Sequence, residues 1–152
     1  MDAITLLKKD HELVKKLLAE GEETTERAEK TRTELFARLK SELQIHERIE
    51  EEVLYPALRD NPKSEEIAYE AYEEHHVVDT ILEELETTPT DSPEWLAKFT
   101  VAKENLEHHI EEEEGELFPK ARQILSDDQL ERMGARMEEI KSLAKQVDGK
   151  PA

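Results

Sequence analysis

Leu43-Gln-Ile-His-Glu-Arg-Ile-Glu-Glu-Glu-Val-Leu-Tyr-Pro56 has a second version in the same chain, Leu106-Glu-His-His-Ile-Glu-Glu-Glu-Glu-Gly-Glu-Leu-Phe-Pro119. Each version places a Glu four residues after a His, His46 with Glu50 and His109 with Glu113, and closes on Leu-aromatic-Pro. On an α-helix, residues four apart lie one above the other on one face, about 6 Å apart along the axis. An imidazole and a carboxylate so placed can converge on one transition-metal ion. Two such pairs predict a two-metal site.

The duplication extends outward. Asp10-His-Glu-Leu-Val-Lys-Lys-Leu-Leu-Ala-Glu20 pairs with Glu74-His-His-Val-Val-Asp-Thr-Ile-Leu-Glu-Glu84, which sets His11 against His75. The offset is 64 residues between His11 and His75 and 63 between His46 and His109, so the chain reads as a doubled helix pair. The repeat gives a pseudo-symmetric set of metal-ligand candidates: His11, His46, Glu50, His75, His109 and Glu113.

Composition narrows the class. A chain of 152 residues can bury one sizeable core, and 39% charged against 36% hydrophobic residues suits amphipathic helices with solvated outer faces. The net charge of −18 opposes binding to nucleic acid or to anionic membrane. The chain has no cysteine, which excludes disulfides, thiolate zinc sites and Cys-ligated iron–sulfur clusters. No apolar run approaches the roughly 20 residues of a membrane span, and the amphipathic amino terminus does not read as a signal peptide. A cytoplasmic protein is expected.

Apolar steps of three and four predict an all-α fold, with a ligand candidate inside each of four seams. The seams are Ile4–Leu7–His11–Val14–Leu18; Phe36–Leu39–Leu43–His46–Glu50–Val53–Ala57; Ala68–Ala71–His75–Val78–Leu82–Leu85; and Trp95–Phe99–Ala102–Leu106–His109–Glu113–Leu117. Breaks are expected between Gly21 and Lys30, at Asp60–Ser64, and at Thr87–Pro93, where Ser92 would be the N-cap and Pro93 the first helical residue. Pro56 and Pro119 should kink or end the second and fourth helices at matching heights. Ser126 with Gln129 reads as a capping box opening a fifth helix with the stripe Leu130, Met133, Met137, Ile140, Ala144 and Val147. That helix has no ligand candidate and reads as a packing or oligomer element. The expected organisation is an up-down-up-down four-helix bundle over residues 1–125, a C-terminal helix packing on it over 126–147, and a disordered tail over 148–152.

A single His on an apolar face is ordinarily just a core residue. Two carboxylates in the core are different, because each costs several kcal/mol to desolvate unless paired or metal-bound. No Lys or Arg lies in the seams near Glu50 or Glu113. A metal pair would neutralise both. His76 and His108 (with Glu112) lie on polar rows and are assigned to the surface, as is most of the run Glu111–Glu114. Asp79 falls four residues after His75, but the repeat sets Lys15 at the matching place, which puts Asp79 on the rim. Glu47 and Tyr72 flank the site as extra ligands or supporting hydrogen-bond partners, with packing or exposure as their default. Imidazole and carboxylate without sulfur suit iron or manganese, and zinc also fits.

At these residues the chain resembles the hemerythrin-like, or HHE cation-binding, family. The resemblance runs from about residue 3 to 124 and rests on Asp10-His11, His46-x3-Glu50 with Leu54-Tyr-Pro56, Glu74-His75, and His109-x3-Glu113 with Leu117-Phe-Pro119. It implies a bundle around a non-haem di-iron centre with an oxo or hydroxo bridge and two bridging carboxylates. Oxygen-carrying members have a His-x3-His pair on the third helix and a His-x4-Asp spacing on the fourth. Here the third helix offers His75 and then Asp79, and the fourth His109 and Glu113. One iron should therefore take water, Tyr72 or a carboxylate in place of a fifth His. The resemblance then points to members that meet hydrogen peroxide or nitric oxide rather than to oxygen transport. The leading expectation is a redox enzyme acting on peroxide. The alternatives are a carrier or store of oxygen or iron, and a sensor.

Overall fold

The computed structural model describes residues 1–148, without the side chain of Asp148. Its elements are α1 (Ala3–Glu22), α2 (Glu29–Ile49), α3 (Tyr55–Arg59), α4 (Glu65–Glu86), α5 (Pro93–Glu112), α6 (Phe118–Ile124) and α7 (Asp127–Asp148), and there is no strand among the described residues. Two π-helical segments, Glu50–Leu54 and Glu113–Leu117, join α2 to α3 and α5 to α6.

One core cluster gathers the start of α1, the end of the α2–α3 rod, the start of α4 and the end of the α5–α6 rod, together with Leu130, Met137 and Ile140 of α7. A second cluster, from Val14 to Ile110, fills the opposite end. The four rods therefore alternate up and down. The buried polar residues His11, His46, Glu50, His75, His109 and Glu113 lie on the seams between the two clusters. All four seams point inward as their periodicity predicts, apart from Ala57, which is only half-buried.

The prolines differ from expectation. Pro56 and Pro119 do not end their rods, which run on as helix to Arg59 and Ile124. Pro has no N–H for the carbonyl four residues back, and its ring crowds that carbonyl. The chain meets this by widening just before each proline: Tyr55 N–H donates to the Glu50 carbonyl and Phe118 N–H to the Glu113 carbonyl, both five residues back. Ser92 is the N-cap of α5 by backbone geometry, but its hydroxyl donates to the Pro89 carbonyl instead of capping. Ser126 and Gln129 exchange the reciprocal bonds of a capping box at 2.8 and 3.1 Å.

Two glycines allow close approaches. A Cβ on Gly21 would run into the Phe99 ring, and one on Gly134 into the backbone of Met1 and Asp2, where α7 lies on the amino-terminal end of α1. The predicted stripe of α7 overshoots the core, since Val147 is 69% exposed. Asp148 closes α7, and the rest of the expected disordered tail lies outside the described residues.

Candidate metal centre

Ligand atoms of His11, His46, Glu50 and Glu113 lie within 4.8 Å of one another, and so do those of Glu50, His75 and His109. The six candidates are thus brought together at one level of the bundle as two overlapping groups that share Glu50. The rings pair accordingly, His11 with His46 at 5.0 Å and His75 with His109 at 4.8 Å between centroids.

Each ring turns Nε2 inward. His46 and His75 both set Nε2 3.2 Å from Glu50 Oε1, and His11 and His109 set theirs 3.1 and 3.3 Å from Glu113 Oε1. Each ring also turns Nδ1 outward onto a carboxylate: Glu114 for His11 at 2.7 Å, Asp10 for His46 at 3.0 Å, Glu51 for His75 at 3.1 Å and Glu74 for His109 at 2.7 Å. A carboxylate can only accept, so Nδ1–H donates, and the neutral ring that binds a metal then turns its Nε2 lone pair to the centre. This is how proteins orient metal-binding histidines.

These four outer carboxylates escaped the reading of the sequence as site residues, yet they obey its repeat. Asp10 and Glu74 each precede a first-helix histidine and hold the histidine of the next rod; Glu51 and Glu114 each follow a seam Glu. The sequence pattern puts Glu114 on the solvated acidic face. The π segment widens the rod where Glu113 and Glu114 sit, so two consecutive carboxylates turn toward α1.

Tyr55 is the second omission. Its hydroxyl donates to Glu113 Oε2 at 2.6 Å and lies 3.3 and 3.5 Å from Nε2 of His75 and His109. It stands where the His75–His109 group lacks a donor, the place expected for water, Tyr72 or a carboxylate. Tyr72 instead packs edge-on against Tyr55, at 5.2 Å between centroids. The repeat offered a signal: Tyr55 corresponds to Phe118, which stacks on His11 as Tyr55 stacks on His75, at 5.6 and 5.3 Å. Asp79, His76 and His108 are exposed, whereas Glu47 is buried.

Electrostatics fits a cation at this level. His46 Nε2 and both oxygens of Glu50 are buried without a hydrogen-bond partner, although His46 Nε2 and Glu50 Oε1 are close. No hydrogen bond joins these atoms, which leaves them to a cation. Burial works against a charged His46 ring, but Glu50 and Asp10 outweigh it and raise its pKa to about 10. Burial likewise opposes charge on Glu113, yet His109, Glu50 and His11 hold its pKa well below the usual carboxylate value. In the metal-free fold, then, protons gather where the donor set would suit a metal. Nitrogen and oxygen donors without sulfur match iron, manganese or zinc.

The model of the Hemerythrin HHE cation binding domain family matches residues 2–121. The chain belongs to this family. A crystal structure of a hemerythrin HHE cation binding domain-containing protein from Mycobacterium kansasii superposes with a TM-score of 0.80 at 33% identity, covering 99% of this chain and 94% of that one. An uncharacterised protein of Mycobacterium tuberculosis is 33% identical over 138 residues, 90% of this chain and 83% of that protein. A protein of a Nostoc species named DNA nickase is 27% identical over 146 residues, 96% of this chain. The HHE chain spans only 41% of that relative's length.

Proposed function

We propose that this HHE protein is a non-haem di-iron protein that disproportionates hydrogen peroxide, with nitric oxide as a second reactant. The observation that carries the reading is the inequality of the two donor groups. His11, His46, Glu50 and Glu113 surround one position; Glu50, His75 and His109, completed only by the Tyr55 hydroxyl, surround the other. Iron bound there would supply two adjacent Lewis-acidic, redox-active ions, and manganese or zinc would suit the same donors less specifically.

The chain's own residues define what can reach that position. A cavity of about 10 Å³ borders the rings, closed by Val14, Leu43, Leu106 and Ile110, with Glu47 the one carboxyl among its lining residues. Without rearrangement it has room for a species of about water size, which favours peroxide and nitric oxide over organic substrates. Tyr55 keeps its proton on the hydroxyl oxygen, since burial together with Glu113 and Glu50 pushes its pKa well above 10. It can thereby hold Glu113 in place by donation. Peroxide disproportionation needs no outside reductant, because two peroxides give one oxygen and two waters.

No helix among the described residues is long and apolar enough to cross a membrane. With a net charge of −18, small molecules in the cytoplasm are proposed as the partners in preference to nucleic acid. The test is to add hydrogen peroxide to iron-loaded protein with an oxygen electrode in place. Catalytic oxygen release is expected. Reversible oxygen uptake by the reduced protein with peroxide left untouched would hand the case to a carrier.

A further inference from the structure

Besides Tyr55 and Phe118, the repeat is broken at two neighbouring pairs beside the centre. Glu47 on α2 corresponds to Ile110 on α5, and Asp79 on α4 corresponds to Lys15 on α1. Glu47 and Ile110 line the same inner cavity, so one wall is acidic and the other apolar. On the acidic side Glu47 also lines a surface groove of about 250 Å³ between α2 and α4, with Glu51 and Asp79. It is the residue common to the groove and the cavity.

Glu47 is 7% exposed, and its Oε1 is buried with no partner. Ligand atoms of Glu47, Glu51 and His75 lie within 4.8 Å of one another, and His75 also belongs to the inner group with Glu50 and His109. The cations that line the groove are engaged elsewhere, Lys40 with Glu86 and Arg48 with Glu52. A buried acidic side chain with one unpartnered oxygen, beside further carboxylates and opening to solvent, suits an arriving cation. His75 then connects the groove to the centre.

We propose that this groove, floored by Glu47 and walled by Glu51 and Asp79, is the port through which divalent cations reach the metal centre. The opposite face, with Ile110 and Lys15 at the equivalent places, is closed to them. The proposal rests on the buried cluster being a metal centre.

The test follows iron uptake by metal-free, full-length protein. Ferrous iron is added without oxygen, samples are quenched with chelator and desalted, and bound metal is measured against time. Glu47→Leu and Asp79→Lys give the acidic side the character of its counterpart, and the exposed Glu104→Lys controls for net charge. Glu47→Leu and Asp79→Lys should each load about tenfold more slowly, at the low end of what charge steering does to association rates. Final metal content should match wild type, and Glu104→Lys should load like wild type. Added salt should slow wild type more than Asp79→Lys. Equal loading rates would overturn the port, as would a reduced final content at an unchanged rate, which would make Glu47 a ligand of the centre itself. A wild-type protein that takes up no iron would instead overturn the metal centre, so the two failures are distinguishable.

Discussion

Lys141 on α7 donates to one oxygen of Asp10, and the other oxygen of Asp10 lies 3.0 Å from Nδ1 of His46. The last helix, expected as a packing or oligomer element, thus reaches the centre through one intervening carboxylate. Asp10 is half-buried and would be costly to hold ionised alone; His46 and Lys141 together keep its pKa low despite burial. An ionised Asp10 fixes the His46 tautomer.

That chain of contacts sets the first prediction. Replacing a partner that orients a metal-binding histidine typically costs 10–100-fold in affinity. Asp10→Asn should weaken metal binding by about tenfold or more. Lys141→Met should weaken it less and in the same direction. Titration against a competing chelator reads both. Unchanged affinity in Asp10→Asn would mean that His46 does not need its outer partner.

Tyr55→Phe makes the two halves of the repeat alike at this position, because Phe118 already lacks the hydroxyl. The ring stack on His75 should survive, so the melting temperature of the metal-free protein should change little. Glu113 Oε2 loses its 2.6 Å donor, and the His75–His109 group loses its added oxygen. Metal content should therefore fall from two toward one per chain at limiting iron. Two tightly held metals in Tyr55→Phe would exclude Tyr55 from the site.

The seams were legible because burial imposes a period, and the same period marks the six residues that the fold brings together. His11 and Glu113, 102 residues apart, end 3.1 Å from each other as the repeat requires. What the sequence hid follows from the two π segments. A reading at 3.6 residues per turn assigns one Glu per turn to the interior, which leaves Glu114 on the solvated face and gives Glu51 no role. Tyr55 was missed for a related reason. It sits one residue before a proline that was expected to break the rod, whereas the widened turn carries the rod onward and aims the hydroxyl at Glu113. Tyr72, which the sequence places beside the site with packing as its default, does pack, against Tyr55. Lys141 had no signal at all, since nothing in α7 says which face of α1 it will meet.

Adjacent histidines separate the register of α5 sharply. His109 is buried with Nε2 toward Glu113, while His108 is 63% exposed beside Glu112. His109→Ala and His46→Ala should each lower metal content, and His108→Ala and His76→Ala should leave it within error of wild type. Elemental analysis after iron loading decides. Loss of metal in His108→Ala with retention in His109→Ala would place the rod one residue out of register.

Removing the metal should expose a pH dependence written by the buried cluster. Burial disfavours charged rings, but Glu50 and the outer carboxylates prevail, raising His46 from 6.5 to about 10 and His75 from 6.5 to about 9. A group raised in this way stabilises the fold fully below its unfolded value of 6.5 and loses that contribution as pH climbs through its folded value. Glu47 pushes the same way: burial and then Asp79 raise it from 4.5 to about 9, so ionising it at higher pH costs stability. Glu113 is depressed, so its contribution is present above 4.5 and vanishes only as pH falls through its lowered value. The metal-free protein should therefore be most stable near pH 4.5, lose some stability above it as Glu47 ionises in the unfolded chain, and lose more from pH 6.5 toward pH 10. Bound metal reverses the trend, because it takes its ligands deprotonated and is held more tightly as pH rises. Melting temperatures with and without chelator should diverge steadily from about pH 6 to about pH 9. A constant gap would mean that these rings and carboxylates are solvated, and that the centre does not lie between the two cores.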